Sequence, residues 1–433
     1  MTKRVGLYWF TNDLRLHDQP ALFHASKVVD ELVCYSDMGS VWSQANGDMS
    51  DDFGEQRRRF LEEALADLAS QLAMLNQKLW VSKRNCLNVL VELVKTQAVT
   101  DVFRSEHVGW YENQCWQRLQ TQFPQLQLHT IATHTLFDQD NLPFTISEMP
   151  TGFNGVRRKL EKPKAHQPIE RVIQLPPLPV SIATLFSVAG LEVALKSAST
   201  ISTHEDEFSG GESVGLAHLT SYLESGCASS YKQTRNALDG WQTSCKFSSW
   251  LALGCLSVRT VVADLKAYEA EHGANDSTYW IYVELLWREY FQWYGHRHGT
   301  KLYSQGGQAD KLLTHRHNPN RIQQWIMGET AFPLVNACMT ELRLTGFLSN
   351  RGRQIVASCL VNELEQDWRF GAAYFEQVLI DFDLATNWGN WQYIAGAGPA
   401  SVAKKHFNLE KQAMQFDPKF TYTNKWLVRR DSA

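Results

Sequence analysis

The sequence predicts an α/β N-terminal domain built on a five-stranded parallel, Rossmann-like sheet, followed by an all-α C-terminal domain. Three observations carry that expectation. Short apolar runs alternate with amphipathic stretches over the first 135 residues, helical apolar spacing dominates from Gly210 onward, and 433 residues exceed one ordinary core.

The strands are expected at VGLYWF (5–10), ELVCYS (31–36), LWVSK (79–83), VTDVF (99–103) and LQLHTI (126–131). Between them, residues 53–75 place Phe60, Leu61, Ala64, Leu65, Leu68 and Leu72 at helical spacing, and NVLVELVKT (88–96) and WYENQCWQRLQ (110–120) also read as helices. Strands alternating with helices imply a parallel sheet covered on both faces, with its ligand crevice at the carboxyl ends of the strands. Neither GxGxxG nor GxxxxGK[ST] occurs, so a dinucleotide loop and a P-loop are unsupported. Residues 136–205 lack strong periodicity, and QLPPLPVS (174–181) and SASTISTHEDEF (197–208) read as linker. The helical domain is expected over 206–433, with helices in HLTSYLES, KFSSWLALGCL, YWIYVELLWREYFQWYGHR, RIQQWIMGE, LVNACMTELRLTG and RGRQIVASCLVNELEQDW.

Composition narrows the function classes. A net charge of −4 provides no global positive field, so nucleic-acid binding would need a local basic patch. Eight scattered cysteines without a CxxC fit free thiols in a reducing compartment better than a disulfide frame or zinc site. No apolar run is long enough to span a bilayer, and MTKRVGLYWF runs straight into a strand pattern without a signal peptide. A cytoplasmic location is expected.

The densest chemistry lies in Gly346–Tyr393, where Asn350, Arg351, Arg353, Asp381, Asp383 and Asn387 are interleaved with Trp368, Trp388 and Trp391. Arg and Asn suit phosphates and amides, whereas Asp suits ribose hydroxyls and ring N–H donors. A buried aromatic core alone would not need so many polar groups, because buried charges need partners. Asp381 and Asp383 are also compatible with acid/base chemistry or with solvated turn carboxylates, and no His stands nearby at ligand spacing for a metal. Within 278–297, Glu284, Trp287, Arg288 and Phe291 fall on one helical face. They either line a cavity or form a Glu–Arg pair beside a core Trp. SCKFS (244–248) offers Ser244 and Lys246 to an anion, or simply caps a helix with Ser. The histidines of YGHRHG (294–299) and THRHN (314–318) lack further ligands and read as polar loop.

Several segments taken together resemble the cryptochrome/DNA photolyase family, and specifically its DASH-type cryptochromes. They are WFTNDLRLHDQPAL, FSGGES, SSYKQTRNAL, CKFSSWLALGCLS, ELLWREYF, GFLSNRGRQIVAS, DWRFGAAYFE and LIDFDLATNWGNWQYIAG. The resemblance runs over nearly the whole chain. It implies an N-terminal antenna domain and a helical domain binding FAD in a U-shaped conformation. The motif-matched flavin contacts are Tyr231, Ser244, Cys245, Lys246, Phe247, Ser248, Glu284, Arg288, Asn350, Arg353, Asp381, Asp383 and Asn387. In that picture Ser244, Lys246 and Ser248 meet the phosphates, Arg353 pairs with Asp381 beside the isoalloxazine, Asp383 accepts from the flavin, and Asn387 faces N5.

The implied activity is light-driven splitting of cyclobutane pyrimidine dimers by electron transfer from reduced FAD. Glu284 and Asn350 would contact the lesion, and Trp287 would wall it. Tyr393 stands where duplex-repairing photolyases carry Trp, and Gln354 where they carry Met, which implies repair of single-stranded or looped DNA. The cost of extruding a base is lowest there. Arg351 would hold phosphates. Trp391 and Trp368 match the inner members of the family's tryptophan chain. The outer position aligns with His315, leaving Trp325 or another aromatic residue to serve. Glu106 matches the acceptor for a 5,10-methenyltetrahydrofolate antenna, or is a loop carboxylate at a strand end. The family also implies a monomer.

The chain departs from the family pattern elsewhere. Thr11 replaces an Arg, Cys245 replaces Thr or Ser in the phosphate loop, and GAGPASVAKKHFN replaces a GNDP-type segment. The sequence ends soon after Trp426, without the long tail of plant and animal cryptochromes. The competing functions are a blue-light photoreceptor with little or no repair, and a nucleic-acid-binding flavoprotein without photochemistry.

Overall fold

The computed structural model describes residues 3–38, 53–180, 208–398 and 404–431. The expected linker residues 181–205, the end of QLPPLPVS, most of SASTISTHEDEF and part of GAGPASVAKKHFN therefore lie outside the described residues.

The first region is a five-stranded, all-parallel sheet of β1 (Val5–Phe10), β2 (Glu31–Asp37), β3 (Leu79–Ser82), β4 (Asp101–Ser105) and β5 (Gln127–Ile131), in the order β3-β2-β1-β4-β5. Every residue of β1 is buried, as expected where helices cover both faces of a parallel sheet. Four helices provide that cover: α1 (Pro20–Val28), α2 (Glu55–Met74), α3 (Cys86–Gln97) and α4 (Trp110–Gln122). In α2 the buried side chains Phe60, Ala64, Leu65, Leu68 and Leu72 recur at the spacing read from the sequence. Strand order reverses between β1 and β4, so the crevice expected of such a sheet lies where Asn12 and Glu106 follow those two strands.

The next helix, α5 (Phe153–Leu160), lies in a stretch expected to be irregular. Phe153, Val156 and Leu160 are buried along one face, and eight residues are too few for that period to stand out. The rest is helical: α6 (Glu212–Glu224), α7 (Tyr231–Thr234), α8 (Ser248–Ala252), α9 (Val258–His272), α10 (Asp276–His298), α11 (Pro319–Met327), α12 (Pro333–Thr345), α13 (Asn350–Ser358), α14 (Trp368–Val378), α15 (Leu384–Ala395), α16 (Leu409–Phe416) and α17 (Thr421–Asp431). The 23-residue α10 runs through the centre, its start fixed by Asn275, whose side chain accepts from the Ser277 and Thr278 amides. The run expected as one helix over RGRQIVASCLVNELEQDW breaks instead. It passes from α13 into a π-turn at Cys359–Glu363, and Asp367 caps a new helix that begins at Trp368.

Buried polar groups hold the two regions together. The fully buried Arg15 donates to the carbonyls of Asp18, Thr133 and, across the seam, Gly254. Glu212 accepts from the Leu16 and His17 amides, and Glu289 of α10 accepts from the Leu136 and Phe137 amides. Gly254, at φ +65°, approaches the other region so closely that a Cβ would lie 2.0 Å from the Asn12 carbonyl oxygen. Among the described residues no helix is long and apolar enough to cross a membrane.

Candidate functional site

Of the polar residues in Gly346–Tyr393, Arg353 and Asp381 meet directly, whereas Arg351, Asp383 and Asn387 each bond to other segments. Arg353 sits in the first turn of α13, which Ser349 caps by accepting from the Gly352 amide. Its Nη2 donates to both carboxylate oxygens of Asp381 at 2.9 and 2.8 Å, and its Nε donates to the Leu348 carbonyl. Asp381 is almost wholly shielded, so this is a buried carboxylate held by one guanidinium rather than a solvated turn residue. The Arg353 guanidinium also lies over the Phe347 ring, and the Lys246 ammonium lies over the same ring, at 5.5 and 5.3 Å. Phe347 thus joins two segments a hundred residues apart, a role that a lone Phe in the sequence does not announce.

Lys246 is the informative member. It is buried, adopts the left-handed backbone conformation at φ +53°, and donates to the Ser244 hydroxyl at 3.0 Å. Among the described residues no carboxylate lies within ion-pair distance of it, and burial lowers its pKa. A buried ammonium held by a neutral hydroxyl and a ring face keeps its charge uncompensated, and an anion such as a phosphate would complete it. Phe247 is buried beside it, Cys245 is half-buried with its carbonyl accepting from His218, and Ser248 is exposed at the start of α8. The buried Ser249 hydroxyl has no hydrogen-bond partner among the described residues, and Tyr231 is buried at the head of α7.

On α10, Glu284 forms an ion pair with Arg235, whose guanidinium also lies 4.5 Å over the Trp280 ring. Burial raises the Glu284 pKa while Arg235 opposes the rise. The intrahelical Glu284–Arg288 pair allowed by the spacing is not the arrangement found. Arg288 instead donates to the His134 carbonyl at 2.6 Å and stands 3.7 Å from Asp383. One turn along from Glu284, Trp287 stacks on Phe153 of α5, with ring centroids 3.6 Å apart. Arg351 donates to the Asn236 side chain, Asn350 is exposed, and Gln354 is half-buried one turn further along α13. Tyr393 is half-buried under the Lys405 ammonium at 5.2 Å.

Asp383 has more partners than its sequence context implied. It caps α15 by accepting from the Thr386 backbone amide, accepts from the Gln292 side-chain amide with both oxygens, and faces His134. Against the opposing effect of burial, His134, Arg288 and the Thr386 amide hold its carboxyl well below the usual range, while burial and Arg288 push the His134 imidazole down to about 4. His134 and Gln292 had no motif to mark them. Asn387 donates its side-chain amide to the Ala372 carbonyl at 3.0 Å.

The tryptophans meet in two pairs, Trp325 with Trp391 and Trp368 with Trp388. Trp391 fits where Gly371 leaves room on α14, one turn from Trp368. Trp325 is fully buried, lies 6.1 Å from Trp391, and donates to the Val356 carbonyl, which makes it a neighbour of the inner residue. His315 sits beside Trp368, bonded to Gln305, whose carbonyl accepts from the Trp368 indole.

At the sheet's switch point, Glu106, His107, His134, Gln292 and Asp383 border a water-sized void of about 10 Å³. Beside it opens a crevice of about 290 Å³ lined by Arg104, Trp110, Asn113, Trp116, Gly295 and His296. Burial raises the pKa of Glu106. Among the described residues no cluster of His, Cys, Asp and Glu could hold a metal ion.

Comparison with known proteins agrees with the fold. Residues 6–177 match the family model described as DNA photolyase, and residues 280–431 match the FAD binding domain of DNA photolyase. The chain is 44% identical to Cryptochrome DASH of Vibrio parahaemolyticus over 100% of its own length and 95% of that protein. Against Cryptochrome DASH of Idiomarina loihiensis the identity is 43%, covering 98% and 92%. The crystal structure of a Synechocystis cryptochrome superimposes with a TM-score of 0.86 at 34% identity, covering 99% of this chain and 90% of that one. A class III photolyase from Agrobacterium tumefaciens, at 22% identity and a TM-score of 0.82, shares the fold.

Proposed function

Because the chain belongs to the cryptochrome/DNA photolyase family, in its DASH-type branch, and carries that family's FAD-binding domain, we propose that it repairs cyclobutane pyrimidine dimers in single-stranded or looped DNA under blue light. The buried Lys246 ammonium, with no carboxylate partner among the described residues, fits the FAD pyrophosphate, with Ser244 beside it and Ser248 at the mouth. The Arg353–Asp381 pair is suited to lie along the isoalloxazine, and Tyr231, Cys245, Phe247, Arg288, Asn350, Asp383 and Asn387 complete the proposed contacts. The oxygens of Asp383 are already engaged by Gln292, Thr386 and His134, so its role is to fix the wall of the site as well as to accept from a ligand. Excited reduced FAD, when bound, supplies the electron that splits the dimer and receives it back.

The observation that carries the repair reading is Glu284. It is a half-buried carboxyl group whose pKa is raised by burial, held in place by Arg235 and set one turn from Trp287. Such a group hydrogen-bonds a pyrimidine carbonyl or N–H while excluding water, and Asn350 and Gln354, one turn apart on α13, face the same substrate. Tyr393 offers a smaller ring than indole at the rim. Arg235, Arg351 and Lys405 supply the local positive charge that the net charge of −4 denies the whole surface. Glu106 and the adjacent 290 Å³ crevice support a 5,10-methenyltetrahydrofolate antenna. A monomer is sufficient for this scheme.

The test is direct. Illuminated, reduced holoprotein should clear dimers from a single-stranded oligonucleotide, and Glu284→Ala should abolish that clearance. Intact dimers after illumination of the wild type would leave the photoreceptor reading in its place.

A further inference from the structure

The family's outer electron-donor position is His315 here, and its imidazole does not continue an indole chain. The structure supplies another way out from Trp368. Trp388 of α15 meets Trp368 edge to face at 5.7 Å. Tyr303 meets Trp388 at 5.1 Å, Tyr111 of α4 meets Tyr303 at 6.0 Å, and Trp110 meets Tyr111 at 5.0 Å. These are ordinary aromatic contact distances, unbroken by an aliphatic side chain. Trp388 and Trp368 are buried, whereas Trp110 is 37% exposed. The row therefore runs from the flavin half, across the seam, to the surface of the sheet region.

The indole hydrogen bonds point the same way. Trp368 and Trp325 both donate to neutral backbone carbonyls, those of Gln305 and Val356. Trp388 donates to a carboxylate oxygen, Oε2 of Glu376, at 2.9 Å. A buried indolyl radical cation is costly in a low-dielectric interior, and a base at hydrogen-bond distance removes that cost by taking the N–H proton. Burial raises Glu376 to about 7, so it is partly ionised at neutral pH and holds a proton well.

We propose that Trp388, Tyr303, Tyr111 and Trp110 form an outer electron-supply branch replacing the missing third tryptophan, with Glu376 as the proton acceptor of Trp388. At each contact one electron moves inward. Trp388 yields its Nε1 proton to Glu376 as it is oxidised and recovers it when refilled from Tyr303. Tyr303 and Tyr111 pass the electron on with no net gain or loss of a proton, so the net change is one electron delivered through Trp368 and Trp391 to the bound flavin and Trp110 oxidised by one electron, with its N–H proton released to water. A thiol in the medium restores Trp110 by giving one electron and one proton, and two thiyl radicals then join as a disulfide. The proposal rests on the reading that Trp391 and Trp368 feed the bound flavin.

The experiment uses flavin-loaded full-length protein with a thiol reductant and blue light. Radical formation is followed by flash absorption and electron paramagnetic resonance, and a nitroso spin trap with peptide mass spectrometry locates the radical. The expected result is a trap adduct on Trp110 in the wild type, lost in Trp388→Phe, with loss of the long-lived indolyl radical in Trp388→Phe and Trp110→Phe. Glu376→Gln, which keeps the shape, should convert the neutral-radical absorption to that of the radical cation. Wild-type radical lifetimes in both tryptophan variants, or an adduct that survives Trp388→Phe, would overturn the branch. If Trp391→Phe also behaved as wild type, the underlying reading of Trp391 and Trp368 would fail as well, which separates the two outcomes.

Discussion

Replacing Arg353 by Ala tests how far one ion pair holds the site together. Asp381 is nearly fully shielded, and both of its oxygens face the single Arg353 Nη2. Removing the guanidinium leaves an uncompensated buried carboxylate, a change that costs about 3–5 kcal/mol. Arg353 is itself about a quarter exposed, so water can reach the vacated position, and the lower end, about 3 kcal/mol, applies. For a chain of 433 residues, an unfolding entropy of about 2.1 cal/mol/K per residue converts that to a loss of roughly 3 °C in Tm. Asp381→Asn in the same background removes the stranded charge and should restore most of the loss. Denaturant melts followed by circular dichroism measure the stability, and flavin absorbance measures occupancy of the purified protein. Arg353→Ala within about 0.5 kcal/mol of wild type with full flavin occupancy, or no recovery in the double variant, would refute the reasoning.

Three further outcomes follow from the same geometry. Trp391→Phe should slow flavin photoreduction while FAD remains bound, read as bleaching of the flavin band under blue light with a thiol; unchanged bleaching would exclude that route. Burial raises Glu341 to about 7 against its ordinary 4.5, so the folded protein binds more protons than the unfolded chain in between, and stability should fall as pH rises from 4.5 to 7 by up to about 3 kcal/mol. Glu341→Gln should flatten that slope in urea titrations across the range, and an unchanged slope would assign it to other groups. Glu212→Gln keeps the shape but weakens the charge-assisted bonds to the Leu16 and His17 amides and to Arg171, and should cost about 1–3 kcal/mol in the same melts.

The sheet was legible because β1, β2 and β3 are short apolar runs between breakers, and α2 because its buried residues repeat at helical spacing from Phe60 to Leu72. Helix α5 escaped notice, although Phe153, Val156 and Leu160 have helical spacing, because its eight residues lie in an otherwise aperiodic stretch. The Arg353–Asp381 pair was readable from residue type and motif together. Its surroundings were not: Phe347 is one more aromatic residue, and Arg235 reaches Glu284 across 49 positions. Asp383 looked like half of a carboxylate pair, yet its partners come from α10 and from the segment after β5. Local patterns report periodicity, whereas long-range pairing is decided by packing.

Arg15 has a practical consequence for anyone trimming this molecule. Its guanidinium donates to four backbone carbonyls, those of His17, Asp18, Thr133 and, across the seam, Gly254, and Gly254 fits against Asn12 with no room for a methyl group. A module made by discarding the first hundred-odd residues would leave the Thr133 and Gly254 carbonyls without Arg15 and expose the apolar surfaces around them together. The halves should therefore be engineered as one cooperative body, with insertions or fusions kept away from Asn12–Asp18 and Leu253–Ser257.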